Sequence, residues 1–168
     1  MNIVILKPAE SRYVRGFSLV EMLVSLTILG ILASVAIPFA EVAVVRQKEY
    51  ELRESLRTIR TALDQFQSDW QGEVISRIDE SSSRNGYPVT LAVLVEGVPL
   101  NNSQDIKKYV RRIPRDPFND DTSSSEEHWA LRSSQDDPDS TLWGGEDVFD
   151  IRSKSHRVAL DGSDYKDW

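Results

Sequence analysis

The chain has no cysteine, so no disulfide staples it and no thiolate is available for redox chemistry or soft-metal binding. Whatever folds must therefore hold by burial alone. Histidine is nearly absent too, with two in 168 residues. His128 sits beside Glu126 and Glu127, and His156 lies in a basic turn. Neither has triad or metal-ligand spacing, and both read as solvated surface side chains. No glycine-rich phosphate loop occurs. Acid pairs such as Asp136-Asp137 lie in polar loops, with no apolar neighbours to separate their pKa values for acid–base work. The chain therefore reads as a structural protein and not an enzyme. Its net charge of −7 also lacks the basic footprint that nucleic-acid binding needs.

Long hydrophobic runs are absent except for one. From 17 to 40 the only ionisable side chain is Glu21. As a helix that run is about 36 Å long, enough to cross a hydrocarbon core of about 30 Å. A charge in such a segment costs about 2.5–3.5 kcal/mol at its centre and less near an end. An acid there is a functional-site candidate in need of a partner.

The flanks set an orientation. Residues 1–16 carry Lys7, Arg12 and Arg15 against Glu10, a net charge of +2, which leaves −9 for the remainder. Basic flanks stay inside, so the acidic part is expected to cross. An ordinary secretory signal is the competing reading, because Ser34-Val35-Ala36 offers small residues for cleavage and would release a soluble periplasmic protein after Ala36. Glu21 and the length of the apolar run stand against it.

Beyond Pro38 the pattern changes. Apolar residues fall at Val42, Val45, Leu52, Leu56, Ile59, Leu63, Phe66 and Trp70, in helical steps of three and four. Arginines, lysines and glutamates fill the other faces, and Glu49 with Arg53 forms an i, i+4 pair in the favourable order. The stripe is too short for a coiled coil and reads as the face that packs a domain core. One helix continues to a stop at Gly72, with a kink expected at Pro38, where a backbone donor is missing.

Gly16-Phe17-Ser18-Leu19-Val20-Glu21, followed by an apolar helix with Pro38, resembles the N-terminus of type IV pilins and pseudopilins. The resemblance implies that a prepilin peptidase cuts between Gly16 and Phe17 and methylates the new amine of Phe17. It also implies that Glu21 serves methylation and assembly. Physically, cleavage places an ammonium on Phe17, of opposite sign to Glu21. In a stack of subunits the Glu21 of one copy meets the Phe17 of its neighbour, and the low-dielectric surroundings make that pair strong.

Further along, Ser81-Ser82-Ser83-Arg84-Asn85-Gly86 is loop composition, and Leu91-Ala92-Val93-Leu94-Val95 reads as a short helix or, less well, a strand. The segment 106–112 is a short amphipathic piece ended by prolines. The alternating Val148-Phe149-Asp150-Ile151-Arg152 reads as a strand, and Arg157-Val158-Ala159-Leu160 is the expected hairpin partner. Gly86-Tyr87-Pro88, Pro114-Arg115-Asp116-Pro117, the segment 146–153 and the closing Trp168, in that order, resemble the G-type major pseudopilin of type II secretion systems. The acidic, serine-rich loop 120–139 is longer than that family's pattern. The resemblance implies calcium in the C-terminal loop, where Asp161, Asp164 and Asp167 are hard oxygen ligands. The same Asp161-Gly162-Ser163-Asp164 is also plain turn composition, and Lys154 to Arg157 place cations nearby.

The expected fold is thus α+β and pilin-like. A leader over 1–16 is removed. A long helix, membrane-spanning over 17–40 and amphipathic over 41–72, packs on a small antiparallel β-sheet domain with loops over 73–168. The implied protein is a single-pass inner-membrane subunit with its N-terminus cytoplasmic and its C-terminal domain periplasmic. It polymerises with itself into a type II secretion pseudopilus, with minor pseudopilins, the assembly platform, the secretion ATPase and membrane lipid as partners. A type IV pilus or competence pilin is the alternative in the same class.

Overall fold

The computed structural model describes residues 16–77, 80–101, 103, 105–138 and 140–168. The expected leader, apart from Gly16, lies outside the described residues, as does Asp139 of the acidic loop. The chain divides into two compact units, Met1–Val42 and Ala43–Trp168. Helix α1 (Leu19–Gln71) contributes to both.

In the first unit the helix begins where its sequence allows. Ser18, a favoured N-cap residue, offers its carbonyl to the Met22 amide at 3.1 Å. Every residue from 17 to 42 is exposed, on all sides of the helix. Three hydroxyls that would otherwise be orphaned in lipid bond back to their own helix: Ser25 to the Glu21 carbonyl, Thr27 to Leu23 and Ser34 to Ile31, all at 2.7–2.8 Å. The helix runs through Pro38 without interruption.

In the second unit α1 buries Leu52, Leu56, Ile59, Leu63 and Phe66 of the stripe that the periodicity marks, with Ala62 beside them, while Val45 and Trp70 are half-buried. Against it pack α2 (Ala92–Glu96), Ile113, Phe118, Val148, Tyr165 and two small antiparallel sheets. One sheet pairs β1 (Val98–Pro99) with β2 (Ile106–Lys107), and the other pairs β3 (Trp129–Arg132) with β4 (Asp150–Ser153). A single 3-10 turn, Tyr165–Asp167, closes the chain against the core.

Two glycines are required by geometry. Gly97, at φ +87°, ends α2 by donating to the Val93 carbonyl, and a Cβ there would meet the Lys107 carbonyl oxygen at 2.6 Å. Gly86, at φ +82°, lets the chain lie on the Trp70 ring, where a Cβ would come within 2.5 Å.

The expected hairpin between 148–152 and 157–160 does not form. Strand β4 pairs instead with β3, in the register Trp129↔Ser153 to Arg132↔Asp150. The segment after β4 makes one bridge, Val158 to Asp164, because the turn at 161–164 folds it back on itself through the Ala159 amide and the Ser163 carbonyl at 2.8 Å. The histidine reading is also corrected for His128. It is 1% exposed, immediately before β3, and neither ring nitrogen has a partner among the described residues. A neighbourhood of glutamates suggested solvent, but the start of a core strand carries the side chain inward. His156 is exposed, as expected.

Phe66 is fully buried and packs on the Tyr109 ring at 5.2 Å. Phe66→Ala should lower stability by about 3–5 kcal/mol in urea unfolding of the detergent-solubilised chain. A loss below about 1 kcal/mol would contradict its place in the core.

Candidate assembly site and its supports

Gly16, Phe17 and Ser18 precede the helix in irregular, exposed backbone, and Phe17 is 76% exposed. Nothing lies within 4 Å of a Cβ built at Gly16. The Gly16–Phe17 peptide bond therefore precedes the first residue of α1. Glu21 sits in the first turn of α1, with Ser18 three residues before it. This is the S-x-x-E spacing of a capping box, and the partial positive charge of a helix N-terminus favours a carboxylate there. The structure thus brings Gly16, Phe17 and Glu21 to one helix end. Pro38 lies far along the same helix, outside that cluster.

The second unit is organised by buried polar groups. Glu49 is 8% exposed, and its Oε1 accepts from the Leu160 amide at 2.7 Å and from the Tyr165 hydroxyl at 3.0 Å. The Glu49–Arg53 pair expected from spacing is replaced by these contacts. Arg53 turns to Asp161 at 3.7 Å and lies over the Trp168 ring at 4.2 Å. Burial and the Glu49 hydrogen bond push the Tyr165 phenol up to about 12.

Arg60 spans three elements. It donates to Asp150 Oδ1 at 2.8 Å, to the Ile151 carbonyl at 2.9 Å and to the Trp168 carbonyl at 2.6 Å. Asp147 is fully buried and accepts from the Ser83, Ser133 and Ser134 hydroxyls and from the Ser134 amide, at 2.7–2.9 Å. Burial raises the Asp147 carboxyl, but these four donors outweigh it and hold the group below its ordinary value. Asp116, in the Pro-Arg-Asp-Pro run, caps its own turn at the Phe118 amide and accepts the Ser153 hydroxyl of β4. Trp129 donates to the Pro114 carbonyl of the same run at 3.0 Å. Sequence spacing did not reveal Glu49, Arg60 or Asp147 as anchors. Their partners lie about ninety or more residues away for the first two and across two serine loops for the third.

The carboxylates expected to hold calcium do not converge. Asp161 accepts from the Ser163 amide and hydroxyl at 3.0 and 2.6 Å, which hold its carboxyl below the ordinary range, and it faces Arg53. Asp164 pairs with Lys166 at 3.3 Å. Among the described residues no group of three or more acids or histidines is placed to hold a metal ion.

Tyr165 is protonated more firmly when folded than when unfolded. Its contribution to stability is therefore complete below about pH 10 and is lost as pH rises through about 12. Glu49→Ala should destabilise the chain by about 1–3 kcal/mol, since a buried amide and hydroxyl lose their acceptor. It should also bring the Tyr165 phenolate transition down toward the ordinary value, read by absorbance against Tyr165→Phe. An unchanged transition would contradict the pairing.

A family profile described as "Prokaryotic N-terminal methylation motif" matches residues 11–37. That span contains Gly16, Phe17 and Glu21. A curated relative, the Type IV major pilin protein PilA of Myxococcus xanthus (strain DK1622), is 36% identical over 84 residues, covering 46% of this chain and 38% of the relative. The chain thus matches well under half the length of that relative. No solved structure matches the chain significantly. The chain thus carries a prokaryotic N-terminal methylation motif and is similar, over part of its length, to a type IV major pilin.

Proposed function

We propose that this chain is a structural subunit of a type II secretion pseudopilus. A prepilin peptidase cuts between Gly16 and Phe17 and methylates Phe17. Residues 17–40 hold the subunit in the inner membrane, with the leader cytoplasmic and the folded domain periplasmic. Subunits then leave the bilayer side by side, each Glu21 paired with the Phe17 ammonium of a neighbour. Minor pseudopilins, the assembly platform and the secretion ATPase act on the growing filament. The observation that carries this reading is the coincidence of the methylation motif over 11–37 with an apolar helix exposed on every side. The secretion assignment draws support from the ordered Gly-Tyr-Pro and Pro-Arg-Asp-Pro runs, which have structural work in this fold: Gly86 lies on Trp70, and Asp116 ties its turn to β4. Calcium is not part of the proposal.

A type IV pilus subunit is the second reading, favoured by the printed name of the Myxococcus relative. Both share the assembly chemistry and differ in what fails when the subunit is lost: export of a periplasmic cargo, or surface fibres.

In the native host Gly16→Ala should accumulate at the size of the uncleaved chain. Glu21→Ala should be cleaved and remain in the membrane but be absent from sheared, pelleted filaments. Filaments of Glu21→Ala at the parent's level would overturn the pairing role. Loss of export without loss of surface fibres supports the secretion reading, and the reverse supports the pilus.

A further inference from the structure

Three arginines of the folded unit are half-buried among the described residues: Arg60, Arg132 and Arg152. Arg60 and Arg132 both reach Asp150, at 2.8 and 3.3 Å. Arg152 has no such partner. Its guanidinium donates to the Ser140 carbonyl at 2.5 Å, the one polar contact of this side chain among the described residues. Lys154, two residues on, is in the same state: its ammonium donates to the Glu127 carbonyl at 2.5 Å and meets no acid there. A carbonyl fixes a cation in place but leaves its charge intact, and a half-buried charge without a counter-ion is costly.

Both side chains line one cleft of about 650 Å³, together with His156 and Lys166. The space exists because the cross-strand partner of Arg152 is Ala130, whose methyl group also lines the cleft. Lys166 pairs with Asp164 at 3.3 Å, which leaves two of its three donors. Asp167 is the acid on the wall. The chain as a whole carries −7, so the excess of cations here is local.

We propose that this cleft binds the phosphate group of a polyol ester, a glycerol or sugar phosphate. A phosphate presents oxygens in several directions, which suits donors arriving from β4, from the segment after it and from the 3-10 turn. Asp167 repels a bare anion but accepts hydrogen bonds from hydroxyls, so the ligand carries hydroxyls beside its phosphate. The cleft is also larger than an inorganic phosphate needs and lies in the range of small-molecule sites. A free ester and a glycerophosphate lipid headgroup offer the same chemistry. The site does not depend on which filament the chain builds.

Lysine acetylation of the full-length, detergent-solubilised chain, read residue by residue by mass spectrometry, tests this. Glycerol 3-phosphate should slow acetylation of Lys154 and Lys166 by about fivefold and leave the exposed Lys108 unchanged. Glycerol alone should protect neither. Inorganic phosphate should need about tenfold more for the same protection, and Asp167→Asn should erase that difference. Lys154→Gln should weaken the protection of Lys166 about tenfold, as should Ala130→Leu, which fills the cleft without altering its charge. In phosphatidylcholine bilayer discs, protection that appears on adding phosphatidylglycerol identifies a lipid headgroup as the source. Protection by the soluble ester alone identifies a free ligand. No protection of Lys154 and Lys166 by the ester, or equal protection of Lys108, would overturn the site. Inorganic phosphate acting at the ester's own concentration would overturn the polyol assignment.

Discussion

Apolar helix surface must be kept from water, and α1 meets that demand in two different ways. From Leu52 to Phe66 its stripe is covered by the rest of its own domain. From Phe17 to Val42 no described residue covers it on any side. A segment of that composition is not stable in water, and in the proposed assembly its cover comes first from lipid and then from copies of itself. Glu21 and the prospective Phe17 ammonium fit that sequence of environments. Each charge is costly alone in an apolar setting, and paired as proposed they would fix which turn of one helix lies beside which end of another. A one-turn slip leaves both unpaired.

Among the described residues the folded unit has little regular structure: one long helix, one short one, a 3-10 turn, and two sheets of two strands each. With no disulfides, its long loops are held by buried polar hubs. Arg60 gathers β4 and Trp168 onto the helix, Asp147 gathers two serine loops, Asp116 joins the proline turn to β4, and Glu49 fastens the 158–165 turn. Each hub satisfies donors that would otherwise be stranded, so removing the hub costs more than the bond itself. Helix α1 contributes two of the four, and the domain is in that sense built around it.

The helix and its stripe were legible in the sequence because periodicity of 3.6 is a local signal. Gly16 and the lone acid of the apolar run, Glu21, are local signals as well. The short helix near Leu91 was readable for the same reason. Pairing of β4 with β3 was not, since the choice between Trp129–Arg132 and the nearer 157–160 is made by a turn that closes on itself and by a Leu160 amide already taken by Glu49. His128 misled because its sequence neighbours are solvated while its own place, at the head of a core strand, is not. Glu49 misled in the opposite way: an i, i+4 arginine suggested a surface pair, and the actual partners are on the far end of the chain.

The central claim is that the apolar half of α1 stays with the mature protein as its assembly element. The intact mass of the protein isolated from its native membrane tests this most directly. A chain beginning at Phe17 and carrying one methyl group is the predicted result. A soluble chain beginning at Ile37 would contradict the account, because the helix that is meant to assemble would have been discarded.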